Sequence, residues 1–85
     1  MTSNLDTSTI EQKVIQIWTD VLEMPAGRTS ATFFELKGDS ISAVRLVARV
    51  EDELGVSIDV GDIFEEDPDL PKFLQEVLTA AEATN

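Results

Sequence analysis

Three stretches of this chain space their apolar residues at intervals of three and four, and no stretch alternates them at intervals of two. That pattern buries apolar surface through helices and leaves no half-buried strand to build a sheet. In the first stretch the residues are Ile10, Val14, Ile17, Trp18 and Val21. They make one stripe, which places Trp18 in the core. Ser8 and Glu11 have capping-box spacing, so the helix is predicted to begin at "STIE". It ends near Leu22, because Pro25 and Gly27 follow. A second helix is predicted over Ser40–Leu54, with Gly55 as a left-handed stop. A third, short one spans about Val60–Glu65. The last carries Leu70, Phe73, Leu74, Val77, Leu78 and Ala81 in a complete three-and-four series, with Asp69 as N-cap and Pro71 tolerated in the first turn. The expected fold is an all-α bundle of four helices, three long and one short.

With 85 residues there is room for one small core. The expected domain runs over residues 9–83, between a flexible N-terminal segment, 1–8, and a flexible C-terminus, 84–85. A long connection from Glu23 to Asp39 should be pinned to the bundle by Phe33, Phe34 and Leu36, through a short helical turn. Trp18, Phe34, Leu36, Val47, Leu54, Phe73 and Leu74 are the expected interior.

Charge and composition narrow the function. A net charge of −11 opposes nucleic acid as a partner, since phosphate backbones need Lys and Arg opposite them. Anionic membrane surfaces are disfavoured for the same reason. There is no Cys and no His, which removes disulfides, the thiolate nucleophile, the imidazole base and the usual zinc ligands. "DVGDIFEEDPD" misses the spacing of a calcium loop, so no metal is expected. No apolar run approaches the roughly 18 residues of a membrane span. The opening "MTSNLDTS" lacks a signal-peptide pattern, and a cytoplasmic location is expected. The chain begins with Met1 and the domain fills it, which suggests a free-standing protein, although a domain excised from a larger one and given a start Met would look the same; a monomer is expected.

The most distinctive stretch is "FFELKGDSIS", residues 33–42. Gly38 permits a tight backbone entry into the second helix. Asp39 can cap that helix, which leaves Ser40 at its first position or as an alternative cap. There the hydroxyl meets the positive end of the helix dipole, a field that suits a phosphate ester. As a plain cap Ser40 would need no function. As a hydrolase nucleophile, in the "GDS" shared with the opening block of GDSL-type esterases, it lacks the imidazole base that such chemistry needs. As a regulatory phosphosite it has no supporting flank.

The whole of "FFELKGDSISAVRLVARVEDELGV" resembles the signature block of thiolation domains, the peptidyl carrier proteins of nonribosomal peptide synthesis. "VIQIWTDVLEM" is similar to that family's first helix, and "DVGDIFEEDPDL" to the stretch leading to its last. The resemblance covers about Ile10 to Leu78. It implies 4′-phosphopantetheine, drawn from coenzyme A and joined to Ser40 through a phosphodiester, with Gly38 and Asp39 shaping the site. It implies that the arm's thiol holds an aminoacyl, peptidyl or acyl group as a thioester. The carrier itself then catalyses nothing: a phosphopantetheinyl transferase installs the arm, an adenylating enzyme loads it, and condensation or tailoring enzymes receive the cargo. Two positions depart from the family pattern. Lys37 stands where the first Gly of a pair is common, adding a positive charge that either aids the phosphodiester or alters transferase contacts. "FEEDP" has one residue more than usual before Pro68.

The second helix bears Arg45 and Arg49, with acids only at Glu51, Asp52 and Glu53. That mixture favours the peptidyl type over a fatty-acid carrier; a polyketide carrier, or a plain acidic interaction bundle, is the alternative. From Glu51 to Asp69 there are nine acids and no Lys or Arg, either a solvated face or a surface for basic partners. Projected at about 100° per residue, Ala43, Leu46, Val47, Val50 and Leu54 share a core arc. Ile41, Val44 and Ala48 fall on another, beside Ser40. An exposed apolar patch there would dock partners, centred on Ile41 and Val44, with Arg45 on the rim and Met24 and Phe64 nearby.

Overall fold

The computed structural model describes residues 7–84. Four helices follow in order: α1 (Thr7–Leu22), α2 (Ser40–Leu54), α3 (Val60–Glu66) and α4 (Leu70–Thr84). Among the described residues there is no strand beyond one isolated bridge pairing Thr32 with Asp69. No helix among them is long and apolar enough to cross a membrane. The expected all-α bundle of three long helices and one short one is what forms.

Each long helix turns one apolar stripe inward. Ile10, Val14, Ile17, Trp18 and Leu22 of α1 meet Ala43, Leu46, Val50 and Leu54 of α2 and Leu70, Phe73 and Val77 of α4. Trp18 is fully buried, as its place in the stripe required, and its ring lies 5.2 Å from that of Phe73 in a tilted pair. Burial leaves the Trp18 indole Nε1–H without an acceptor among the described residues. Across α1 and α2, Arg49 donates to Glu53 at 2.7 and 2.9 Å and reaches Asp20 at 3.4 Å, while Lys13 lies 3.5 Å from Glu53. The hydrogen bond from Arg49 holds the Glu53 carboxyl below the usual range.

Several boundaries differ from the sequence expectation. α1 starts at Thr7, so Ser8 lies inside the helix and cannot cap it; the Ser8–Glu11 spacing is incidental. Of the terminal segments expected to be flexible, Met1–Asp6 and Asn85 lie outside the described residues, whereas Thr7, Ser8 and Thr84 are helical. α3 runs one residue further than expected, to Glu66. Asp67 then takes a left-handed turn, φ 47°, and its N–H bonds the Ile63 carbonyl at 3.0 Å. Gly55 closes α2 as predicted, at φ 69°. Asp69 Oδ1 accepts from the Lys72 N–H at 3.0 Å, which starts α4.

One interior assignment is wrong. Phe34 is 47% exposed, and its neighbour Phe33 is the ring that is fully buried. The loop's backbone decides this. The Phe33 N–H bonds the Pro68 carbonyl at 2.8 Å and the Phe34 N–H bonds Asp67 Oδ1 at 2.8 Å, so the loop is strapped to the α3–α4 turn with Phe33 facing in. Leu36, Val47 and Leu74 are half-buried against the core; Leu54 and Phe73 are inside it.

Candidate functional site

Residues 32–38 wrap into a single turn that aims the chain at α2. The Leu36 N–H bonds the Thr32 carbonyl, and the Lys37 and Gly38 N–H groups bond the carbonyls of Phe34 and Phe33, all at 2.9 Å. A reciprocal box starts this turn: Thr32 N–H donates to Glu35 Oε1 at 2.9 Å, and Glu35 N–H to Thr32 Oγ1 at 3.2 Å. Lys37 ends it in the left-handed region, φ 66°. Gly38 then passes directly over Phe33, where a Cβ would come within 2.5 Å of the ring's Cε1 and Cζ. No other residue type fits that passage without moving a buried aromatic ring.

Asp39 is the N-cap of α2. Its backbone is extended, φ −140° and ψ −172°, and its Oδ1 accepts from the Ser42 N–H at 2.9 Å and from the Ser42 hydroxyl at 3.1 Å. These bonds, the backbone one first, hold its carboxyl below the usual range. With the cap taken by Asp39, Ser40 is left as the first residue of a 15-residue helix. Its side chain is exposed, and its hydroxyl has no hydrogen-bond partner among the described residues. The half-buried Ser42 hydroxyl, two positions on, is already committed to Asp39. The cap reading of Ser40 therefore falls away, and what remains is a free hydroxyl at the positive end of a helix dipole. Lys37 and Arg45 are both exposed and form no ion pair among the described residues, whereas Lys13, Arg49 and Lys72 do. An accessible, unpartnered Oγ in that setting fits a phosphate-linked prosthetic group.

The surface around the helix start is apolar. Ile41 is 69% and Val44 58% exposed, and Ala48 on the same arc is exposed as well. Phe34 and Phe64 are exposed too; their rings are stacked with centroids 6.2 Å apart, and both stand edge-on to Phe33, the ring over which Gly38 passes. Arg45 is exposed beside this arc; Met24 is half-buried and packs against the core. The sequence pattern expected Ile41, Val44 and Phe64 at the surface, where they are; it placed Phe34 inside and gave Asp67 no part. For Asp67, the irregular length of "FEEDP" was the available signal. The Thr32–Glu35 box was visible too, as a T-x-x-E spacing. Among the described residues no group of carboxylates is disposed to hold a metal ion.

Comparison with known proteins agrees with this geometry. A family described as "phosphopantetheine attachment site" matches residues 12–77. The chain is 47% identical over 57 residues to a cyclochlorotine synthetase of Talaromyces islandicus, which covers 65% of this chain and 1% of that protein. It is 39% identical over 54 residues to the pyochelin synthetase PchE of Pseudomonas aeruginosa, covering 64% of this chain and 4% of the relative. Against surfactin synthase subunit 1 of Bacillus subtilis it is 32% identical over 74 residues, or 87% of this chain and 2% of that protein. The chain thus spans only a few hundredths of the length of these relatives. No solved structure gives a significant match.

Proposed function

The chain belongs to the phosphopantetheine attachment-site family, as a carrier of the peptidyl type that bears covalent 4′-phosphopantetheine, and from that premise we propose that Ser40 is the attachment residue and that the loaded domain passes acyl cargo between enzymes of nonribosomal peptide synthesis. The observation that carries the reading is the free, exposed Ser40 hydroxyl at the start of α2, set apart from a Ser42 hydroxyl that is hydrogen-bonded to the cap.

In this reading Ser40 Oγ attacks the phosphorus of coenzyme A that bears the pantetheine. The new P–O bond replaces the pyrophosphate bond, the adenosine bisphosphate half of coenzyme A leaves, and the hydroxyl proton goes to a base on the transferase, since the chain has no imidazole to receive it. Asp39 keeps α2 capped while this happens. Gly38 and the buried Phe33 fix where the helix begins. The first turn of α2 presents its dipole to the diester, and Lys37 and Arg45 are the unpaired cations nearest to Ser40 along the chain. The arm, once bound, supplies a terminal thiol that holds an aminoacyl, peptidyl or acyl group as a thioester.

Partner enzymes then meet the apolar surface beside Ser40: Ile41 and Val44 at its centre, Phe34 and Phe64 on the neighbouring ring pair, Arg45 at the edge. These are large side chains left in water by a domain that buries its other aromatic rings, as docking surfaces are. Incubation with coenzyme A and a broad-specificity phosphopantetheinyl transferase, followed by intact-protein mass spectrometry, separates a carrier from a plain helical bundle. A carrier gains the mass of one arm. Ile41→Asp and Val44→Asp should hold stability within about 1 kcal/mol of the parent, as surface changes do. They should slow modification by the transferase or loading by an adenylating enzyme. Unchanged rates with both enzymes would place docking on another face.

A further inference from the structure

Between α3 and α4 lies a groove of about 450 Å³. Every side chain that α3 and its cap turn toward it is acidic: Asp59, Asp62 and Glu66. From the other wall α4 contributes Lys72 and Glu76, together with uncharged side chains. Lys72 lies 3.7 Å from Glu66. Glu76 is half-buried, and its Oε2 is enclosed with no donor to accept from among the described residues; its acidic neighbour is the Glu66 carboxyl, which can share a hydrogen with it only when one of the two is protonated. An ionised carboxylate in that position would have one oxygen shut off from water and two acids facing it, with the one cation of the groove shared with Glu66. Burial first, then the hydrogen bond and charge of Glu66 and the charge of Asp62, push the Glu76 carboxyl up to about 7, with Lys72 opposing.

The wall that faces Glu76 is short, and Val60 packs only partly against the core. α3 has seven residues and one fully buried side chain, Ile63. A helix that short does not stand alone in water and depends on its contacts. We propose that Glu76 is a proton-operated latch on α3: protonated, it shares its hydrogen with Glu66 and seats α3 across the groove; ionised, it repels Glu66 and Asp62 and loosens α3 together with Phe64, which α3 carries. Since partner enzymes are proposed to touch Phe64, the latch would tune how firmly that ring is presented. The latch itself does not depend on that reading.

The direction follows from linkage. The unfolded chain releases this proton near 4.5 and the folded chain at about 7. The contribution is therefore whole below about 4.5, declines as the pH rises, and is gone above about 7. The chain has no His and no Cys, so few other groups change charge in the upper part of that window.

The test is a titration of the whole chain by NMR between about pH 5 and 8, reading the Glu76 side-chain carboxyl carbon and the backbone amides of α3. Melting curves at about pH 5.5 and 8 accompany it, for the parent, Glu76→Gln and Glu66→Gln. The expected Glu76 midpoint lies well above the ordinary carboxyl range of about 4. The amides from Gly61 to Glu66 should move with the same midpoint. The parent should melt lower at the higher pH, Glu76→Gln should lose most of that difference, and Glu66→Gln should bring the Glu76 midpoint down. A Glu76 midpoint below about 5.5 overturns the proposal, as it would mean an ordinary carboxylate. So do α3 amides that ignore the Glu76 titration, or a Glu76→Gln protein that loses as much on raising the pH as the parent. Were Glu76→Gln not to fold, the parent and Glu66→Gln titrations would still decide.

Discussion

Replacing Gly38 by Ala adds one methyl group to an 85-residue chain, and we expect it to be among the most damaging single-methyl changes available. The new Cβ would lie 2.5 Å from Cε1 and Cζ of Phe33 and 2.7 Å from Cδ1, against an ordinary contact of about 3.5–4 Å. Phe33 cannot swing outward, since it is fully buried and its N–H is bonded to the Pro68 carbonyl at 2.8 Å. Relief of roughly 1 Å must come from the ring, the loop or the start of α2. Overpacking of this kind costs typically about 1–3 kcal/mol. A domain of this size has roughly 4–13 kcal/mol in all, and each kcal/mol moves its melting temperature by about 4–8 °C. Gly38→Ala should therefore melt about 4–24 °C lower. Circular dichroism at the helix band, in thermal and urea unfolding, measures this. Gly38 is not one of the positive-φ glycines, so the cost is one of space and a smaller ring should relieve it. Phe33→Leu alone is destabilising, yet in Phe33→Leu/Gly38→Ala the second change should cost much less than in the parent. Strict additivity of the two changes, or a Gly38→Ala protein within about 0.5 kcal/mol of the parent, would refute the packing argument.

Three further outcomes are expected. Lys37→Gly removes a left-handed conformation that costs a side-chain-bearing residue about 1–2 kcal/mol, against about 0.5–1 kcal/mol of added chain freedom. The melting temperature should rise by a few degrees, and a fall would contradict the reading. Asp39 has its folded carboxyl pKa below the unfolded one, so its cap supports the fold above about pH 4 and is lost as the pH falls through the folded value. Asp39→Asn, which keeps an acceptor for the Ser42 N–H, should flatten acid unfolding curves in that range; an unaltered acid limb would count against the cap. The Ile41→Asp and Val44→Asp pair described above should separate partner docking from stability.

Much of this was legible because helices write their faces into the sequence. α2 matched its predicted bounds: Asp39 marks the start with a capping carboxylate and Gly55 marks the stop, each with a local mechanism. The same periodicity separated Ala43, Leu46 and Val50, which are buried, from Ile41 and Val44, which are not. The loop was harder, since which of two adjacent phenylalanines goes inward has no period to reveal it. That choice rests on hydrogen bonds to Asp67 and Pro68, more than thirty residues away. Lys37 reads in the sequence as a charge; in the structure its φ of 66° is the stronger fact, and it gives a physical reason for the Gly common there in the family it resembles. The extra residue before Pro68 reads as an irregularity. That stretch contains Asp67, which both stops α3 and holds the loop. Glu76 sits on the partly polar face of α4, and the groove that encloses it is built with residues 57–66, from a part of the chain that α4's own periodicity does not reveal.

The central claim is that one hydroxyl of this chain carries the prosthetic arm. The chain has six serines, and Ser42 lies only two positions from Ser40. After reaction with coenzyme A and a phosphopantetheinyl transferase, proteolysis and fragmentation mass spectrometry of the peptide spanning residues 38–45 assigns the added mass to a single side chain. The account predicts all of it on Ser40, none on Ser42, and none anywhere in Ser40→Ala protein that keeps the parent's helical spectrum. An arm found on Ser42, on another serine, or on folded Ser40→Ala would contradict it.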